Sequence, residues 1–379
     1  MRLALAIVLA FAFASSALAQ TPATQDAQPV GNSTTTLTSR SNLVLVPALV
    51  RDKKGELIFS LKAEDFVLTD DGVPQKLHLE EDTGAEPLAL VVCIEGGGAG
   101  VDQLEKYKAL ESMLETVVGA VPHRIAVVGF DSAPVLVQDF STDTTKAEQA
   151  IHALIVDNGG DEKAAILDSL NFSVDLLRKQ PIQYRRAILL VSETLDRGSK
   201  TRLDEAVRAI SDTNTAIYSI GFSTTKSEAL VETAKLSSSQ PGPAHGCFSR
   251  DPNDPNVDLS KSAAKQSLDC AAILAPPLRI AQIAFIALRD ALSKNVPETV
   301  ARLTGGEYYK LGSQKTLERD LSTIANHIPN RYMLSFQPQS PHPGFHAISL
   351  TTPNYVGLKV SARSGYWIDE PANSAEPKP

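Results

Sequence analysis

The chain has 379 residues, with 44 acidic against 36 basic side chains, a net charge of −8, and 21% charged and 43% apolar content. That length buries a substantial core and excludes a disulfide-stapled miniprotein, and the balance is that of a soluble globular protein rather than a disordered or membrane one. The acidic excess leaves no general basic surface for phosphates, so nucleic acid is not an expected partner.

Residues 1–19 have the form of a secretory signal peptide: Arg2, the apolar run LALAIVLAFAFA, and small residues up to Ala19, after which cleavage is expected. The apolar stretch is shorter than the roughly 20 residues of a spanning helix, and no later segment is apolar enough to cross. The mature chain is therefore expected in a secreted or periplasmic, oxidising space without a membrane span. Residues 20–41, rich in Thr, Ser and Gln, read as a flexible leader.

From 42 to 83 the pattern is of short β runs: LVLVPALV, LIFSL, DFVLTDDG and PQKLHLE, with Asp71-Gly72 as a hairpin turn. Such a module is too small to stand alone. Between 86 and 328 strands alternate with helices. Leu88–Ile94, Arg124–Phe130, Val135–Phe140, Arg186–Ser192 and Thr215–Phe222 read as strands, and Asp102–Val118, Thr144–Ile155, Glu162–Arg178 and Thr201–Ser211 as helices. Helices over Leu278–Ser293, Pro297–Leu303 and Leu317–Ile328 follow, with an edge strand in TGGEYYKL. This alternation predicts an α/β fold, a doubly wound, mostly parallel sheet with helices on both faces, whose ligands would sit at the carboxyl ends of its strands.

A polar, Pro/Gly-rich excursion over 237–277 interrupts the alternation and carries Cys247 and Cys270. In an exported chain these two are expected to form a disulfide, whose closed loop contributes about 3 kcal/mol in the chain-entropy description. Cys93, inside the first apolar strand, reads as a buried free thiol. The Asp and Asn residues at 251, 253, 254, 256 and 258 lack the spacing of a calcium loop and read as solvated turns. Three β runs over 330–368 (RYMLSFQP, GFHAISLTT, LKVSARSGYW) are expected to join 42–83 in one accessory sheet, before a flexible tail over 369–379.

The segments LVLVPALVRDKKGELI, LALVVCIEGGG, VVGFDSAPVLVQDFSTD, RRAILLVSETLDRGS, TAIYSIGF, CFSRDPNDPNVDLSK and TGGEYY, in this order, resemble the von Willebrand factor type A (VWA) family, and within it the VWFA-related group described from Acidobacteria. The resemblance covers roughly 42–367. It implies a Rossmann-like doubly wound sheet and a protein-binding role, often through a divalent ion held by an Asp-x-Ser-x-Ser turn, a later Thr and an Asp. Here those positions fall on Glu95, Gly97, Ala99, Ala164 and Glu193. Both serine hydroxyls and the threonine are missing, and only the two carboxylates persist, in a longer form.

Two readings follow. In one, Glu95 and Glu193, helped by Asp131 or Asp161, form an altered site for Mg²⁺ or Ca²⁺. In the other the site is degenerate, the glutamates are solvated loop carboxylates, and Gly96, Gly97 and Gly98 supply a tight turn. Mg²⁺ demands near-octahedral oxygen geometry, so losing three neutral ligands weakens it greatly and no resident cofactor is expected. Glu95 facing Glu193 without a cation would raise a pKa.

Catalytic motifs (GxSxG, HExxH, CxxC) are missing, and the seven histidines are scattered. His342 and His346 are four apart, but they straddle Pro343-Gly344, a turn rather than a helix face. The expected function is thus an exported, non-enzymatic protein that binds or adheres to an unidentified protein partner through Glu95, Gly96, Gly97, Gly98, Asp131, Asp161 and Glu193. The alternatives are a metal-assisted hydrolase using Glu95 and Glu193, and a structural envelope component.

Overall fold

The computed structural model describes residues 43–80, 86–156, 160–223 and 276–369. The expected signal peptide, leader, most of the excursion with Cys247 and Cys270, and the tail beyond Asp369 lie outside the described residues.

The central sheet has six strands: β5 (Leu88–Glu95), β6 (His123–Phe130), β7 (Pro134–Ser141), β8 (Arg185–Glu193), β9 (Ala216–Phe222) and β10 (Tyr308–Lys310). Their spatial order is β10-β9-β8-β5-β6-β7, parallel throughout except for the antiparallel edge strand β7. All eight residues of β5 are buried, which is why it reads as an unbroken apolar run. Its side chains alternate between two cores. Leu88, Leu90, Val92 and Ile94 join the core formed with α1 (Leu104–Val118), α2 (Thr144–Val156) and α7 (Gln314–His327). Ala89, Val91 and Cys93 join the opposite one, formed with α3 (Ile166–Arg178), α4 (Leu203–Thr213) and α6 (Val296–Thr304). Cys93 is a buried free thiol, and burial pushes it up to about 11.

Local signals set the helix ends. The Asn295 side chain accepts from Glu298 N–H at 3.0 Å to start α6, and Gly305 ends it at φ 76°. α4 stops at Asn214, also left-handed at φ 50°. The helix expected over Glu162–Arg178 begins only at Ile166. Ala164 instead exchanges backbone hydrogen bonds with Arg197 (3.1 and 2.8 Å), so residues before it are held in a loop contact that a helix would break.

The flanking β segments pair with each other as two sheets, not as the single composite sheet expected. β1 (Val44–Arg51) lies between β13 (Lys359–Ala362) and β11 (Tyr332–Phe336), with β4 (His78–Leu79) on the far side of β11. β2 (Val67–Asp70) lies between β3 (Val73–Gln75) and β12 (Gly344–Thr351), which pairs with β14 (Gly365–Ile368). Val46, Ala48, Leu68, Leu334, Phe336, Ile348 and Tyr366 fill one core shared by both. The run LKVSARSGYW is split because Arg363 is buried at the corner. It donates to Leu45 O at 3.1 Å and to Asn214 Oδ1 at 2.9 Å, so β13 and β14 part into different sheets. LIFSL forms only a single bridge, Leu57 to Arg51. The Asp71-Gly72 turn does close the β2–β3 hairpin, with φ of 49° and 81°, both positive as a type I′ turn requires.

Besides the Arg363–Asn214 bond, contacts on two sides weld this sandwich to the α/β unit. Buried Glu307, beside β10, meets His327 of α7 at 2.6 Å and Arg51 of β1 at 3.2 Å. Although burial works against its charge, His327, Arg331 and Arg51 hold the Glu307 carboxyl below its ordinary range. On the other side, Phe285 of α5 (Pro276–Leu292) packs on Phe345 and Trp367 at 5.8 and 5.9 Å.

Candidate functional site

The strand order reverses around β5, since the chain runs outward to β6 and β7 and then returns to β8 on its other side. The carboxyl ends of β5 and β8 therefore flank the crevice where a sheet of this kind presents its loops. The last residues of these two strands are Glu95 and Glu193.

Both are buried, not solvated loop carboxylates. Glu95 uses both of its oxygens on backbone donors: Oε2 accepts from Glu193 N–H at 2.7 Å and Oε1 from Gly100 N–H at 3.2 Å. Burial, reinforced by the neighbouring Glu193 charge and opposed by those N–H groups, pushes Glu95 up to about 8. Glu193 is clasped by Arg197, whose Nε donates to Oε1 at 2.6 Å and whose Nη2 donates to the same oxygen. A guanidinium thus balances the carboxylate pair from within the chain.

The glycines allow four loops to close around this pair. Gly96 N–H donates to Phe130 O at 2.9 Å and Gly98 N–H to Asp161 O at 2.7 Å. A Cβ on Gly97 would lie 2.5 Å from both Asp131 Cβ and Asp161 O, and one on Gly100 would lie 2.4 Å from Glu95 O. Gly98 takes φ 49°, with Arg197 Nη2 close by. Asp131 fastens its neighbours: Oδ2 accepts from Asp161 N–H at 3.2 Å, and its carbonyl accepts from Ala165 N–H at 2.7 Å. Asp161 is exposed, and the Ser132 hydroxyl and Lys163 N–H hold its carboxyl below the ordinary range. Asp196 and Asp168 complete the frame, accepting from Leu167 N–H (3.1 Å) and Thr201 N–H (2.7 Å).

All seven expected site residues therefore come together, but Glu95 and Glu193 lie beneath the surface that Asp131 and Asp161 help to form. The residues do not fit the divalent ion that the resemblance implies. Both Glu95 oxygens already receive hydrogen bonds, Glu193 is paired with Arg197, and the first serine position, Gly97, has no room for a side chain. Arg197 was missed from sequence. The signal was there in the spacing, an arginine four residues after a glutamate whose expected cation ligands were gone.

Reinstating a hydroxyl by Gly97→Ser is accordingly expected to destabilise, by about 1–3 kcal/mol as other overpacked sites do, without creating Mg²⁺ affinity. Thermal melts with and without Mg²⁺ check both parts, and a Mg²⁺-dependent rise in the variant would contradict them.

No family model matches the chain, and no curated protein matches it. Solved structures similar to it include BatB, a conserved hypothetical protein from Bacteroides thetaiotaomicron, at 12% identity and TM-score 0.34, covering 63% of this chain and 99% of that one. An aerotolerance-related membrane protein from Bacteroides fragilis is 12% identical at TM-score 0.37, covering 64% and 100%. The vWF domain of the type V pili tip protein Mfa5 from Porphyromonas gingivalis is 15% identical at TM-score 0.34, covering 64% and 95%. All three are distant, and the assignment to a doubly wound α/β fold rests on the strand order itself.

Proposed function

We propose that the chain is an exported, non-enzymatic binding protein that engages a protein partner through the loops at the carboxyl edge of its sheet, with the Arg197–Glu193 pair standing where VWA relatives would place a divalent ion. The observation that carries this reading is the closed Glu95–Glu193–Arg197 arrangement beneath a surface bearing Asp131, Asp161, Glu162 and Lys163. The loops are fixed by backbone hydrogen bonds, so the surface is preorganised and loses little entropy on docking. A hydrolase built on the glutamate pair is disfavoured, because substrate and water would have to reach two buried carboxylates already engaged by N–H and guanidinium donors. Export rests on the N-terminal sequence. Among the described residues no helix is long and apolar enough to cross a membrane.

The test is a photo-crosslinking amino acid placed at Glu162 in the producing cell, alone and combined with Asp161→Arg and Lys163→Glu. The reading expects a discrete crosslinked protein that the charge reversals abolish. Crosslinks only between copies of the chain would favour the structural-component alternative, and a crosslink indifferent to the reversals would overturn the assignment of this face.

A further inference from the structure

Two histidines four apart in sequence come together in the accessory sandwich, at the turn of the β2–β3 hairpin. His346, within β12, has no exposed surface, and Asp70 and Asp71 opposite it are buried. Its Nδ1 lies 2.8 Å from Asp71 Oδ2 and 3.3 Å from Asp70 Oδ1, and its Nε2 lies 2.8 Å from the carbonyl oxygen of His342. The ring stacks on two others, with centroids 3.9 Å from His342 and 4.8 Å from Tyr366.

Both nitrogens of His346 therefore face oxygens. Carboxylates and carbonyls only accept, so a neutral ring, with one proton, would leave a lone pair against an oxygen. The His342 N–H, 3.5 Å from Nε2, is too distant to take the place of the carbonyl. The acids are engaged as acceptors as well. Asp71 Oδ1 accepts from Ala347 N–H at 2.8 Å, Oδ2 faces His342 Nε2 at 3.0 Å, and Asp70 Oδ2 accepts from the Tyr366 hydroxyl at 2.8 Å. Each of those donors is better met by a carboxylate than by a carboxylic acid, which leaves the additional proton on the ring.

Every element packed on the ring bears on that charge. Asp70 and Asp71 face it from β2 and the hairpin turn, His342 from the approach to β12, and Tyr366 from β14, with the buried Arg363 acting on Tyr366 from the corner before that strand. Burial and Asp70 push the Tyr366 hydroxyl well above its ordinary range, so it stays a donor. Although burial works against a charged imidazole, the two aspartates and the His342 carbonyl push His346 up to about 9.

We propose that His346 is a buried imidazolium that latches the N-terminal hairpin onto β12, and that this latch weakens as pH rises through neutrality. It ties Asp70 to a strand residue 276 positions further along the chain. Opened to water, the imidazole returns to its ordinary value of 6.5 and releases its proton above it; closed, it keeps the proton until about 9. The latch is therefore at full strength below 6.5, its closing equilibrium falls about tenfold per pH unit above that, and about 300-fold is lost by pH 9. It rests on none of the loop-face residues around Glu95, and its success or failure leaves that reading untouched.

Nitrogen-15 NMR of the full chain labelled at histidine tests the charge directly. One ring with both nitrogens protonated is expected at pH 8, persisting to about pH 9, and Asp70→Asn should lower that midpoint by about one pH unit or more. Amide exchange tests the latch, in a Glu95→Gln background so that Glu95 does not contribute. Corrected for base catalysis, protection of the Asp71 and Ala347 N–H groups should fall about tenfold per pH unit between 6.5 and 9, and His346→Gln should abolish that dependence. If His346→Gln unfolds the chain, Asp70→Asn serves instead, and its dependence should end at a lower pH. The absence of a doubly protonated ring at pH 8, a midpoint unmoved by Asp70→Asn, or protection that does not fall with pH overturns the proposal.

Discussion

The melting temperature is expected to fall as pH rises from about 5 to about 9, and Glu95→Gln is expected to flatten that fall. The sign follows from the proton inventory. Below the ordinary glutamate range Glu95 is protonated in both folded and unfolded chains and contributes no pH dependence. Between 4.5 and about 8 the folded chain keeps a proton that the unfolded chain releases, so stability declines with pH; above about 8 both states are ionised and the whole cost of burying the carboxylate is present. At about 1.4 kcal/mol per pH unit, the loss across this window is of order 5 kcal/mol. Gln retains the side chain's size but presents one acceptor where Glu95 offers two, so one of the Gly100 and Glu193 N–H bonds is lost, at about 1 kcal/mol, independently of pH. The curves of the two proteins should therefore cross, with the variant less stable near pH 5 and more stable near pH 9. Their difference isolates Glu95 from every other titrating group. Parallel curves would show that Glu95 titrates in its ordinary range and that the burial argument is wrong.

Arg197→Ala is expected to cost about 3 kcal/mol, because it removes the guanidinium that pairs with the buried Glu193 carboxylate. The guanidinium side chain is 22% exposed, so its own desolvation on folding is modest and the cost falls on the carboxylate it abandons. Arg197→Lys should recover part of the loss, since a single ammonium replaces the charge but not the two-nitrogen contact. Denaturant titrations of the three proteins measure it. The double variant Arg197→Ala, Glu193→Gln should be substantially more stable than Arg197→Ala alone, a rescue that distinguishes a charge effect from lost packing.

Most of the α/β unit could be read from the chain because its strands are buried on both faces. LALVVCI cannot be an amphipathic helix, and its flanking glycines fix where it stops. The boundaries that moved did so for tertiary reasons. Residues 162–165 carry helix-forming composition, yet Ala164 finds its backbone partners on Arg197, a contact between loops that no local pattern displays. Likewise LKVSARSGYW looks like one strand until Arg363 is known to be buried, with its partners on Leu45 and Asn214. At the site, the identity of the glutamates and glycines was legible but their depth was not. Whether a terminal strand carboxylate faces water or the protein depends on what packs over it, here the Gly97–Asp161 backbone contact and the Arg197 side chain. His342 and His346 do straddle a turn, and their stacking at 3.9 Å was not legible because it depends on how that turn folds back on β12.

The interleaving of the two ends of the chain sets the order in which it can fold. β1 leaves the ribosome early, but its partners β11 and β13 follow roughly 280 residues later, which at 5–20 residues per second is a wait of roughly 15–60 s. During that interval the edges of β1 are open and its apolar residues have no sandwich core to enter. A shortened product ending before residue 330 would keep all six strands of the central sheet and still leave β1 without either neighbour. Synthesis of β11 and β13 is what closes the first strand.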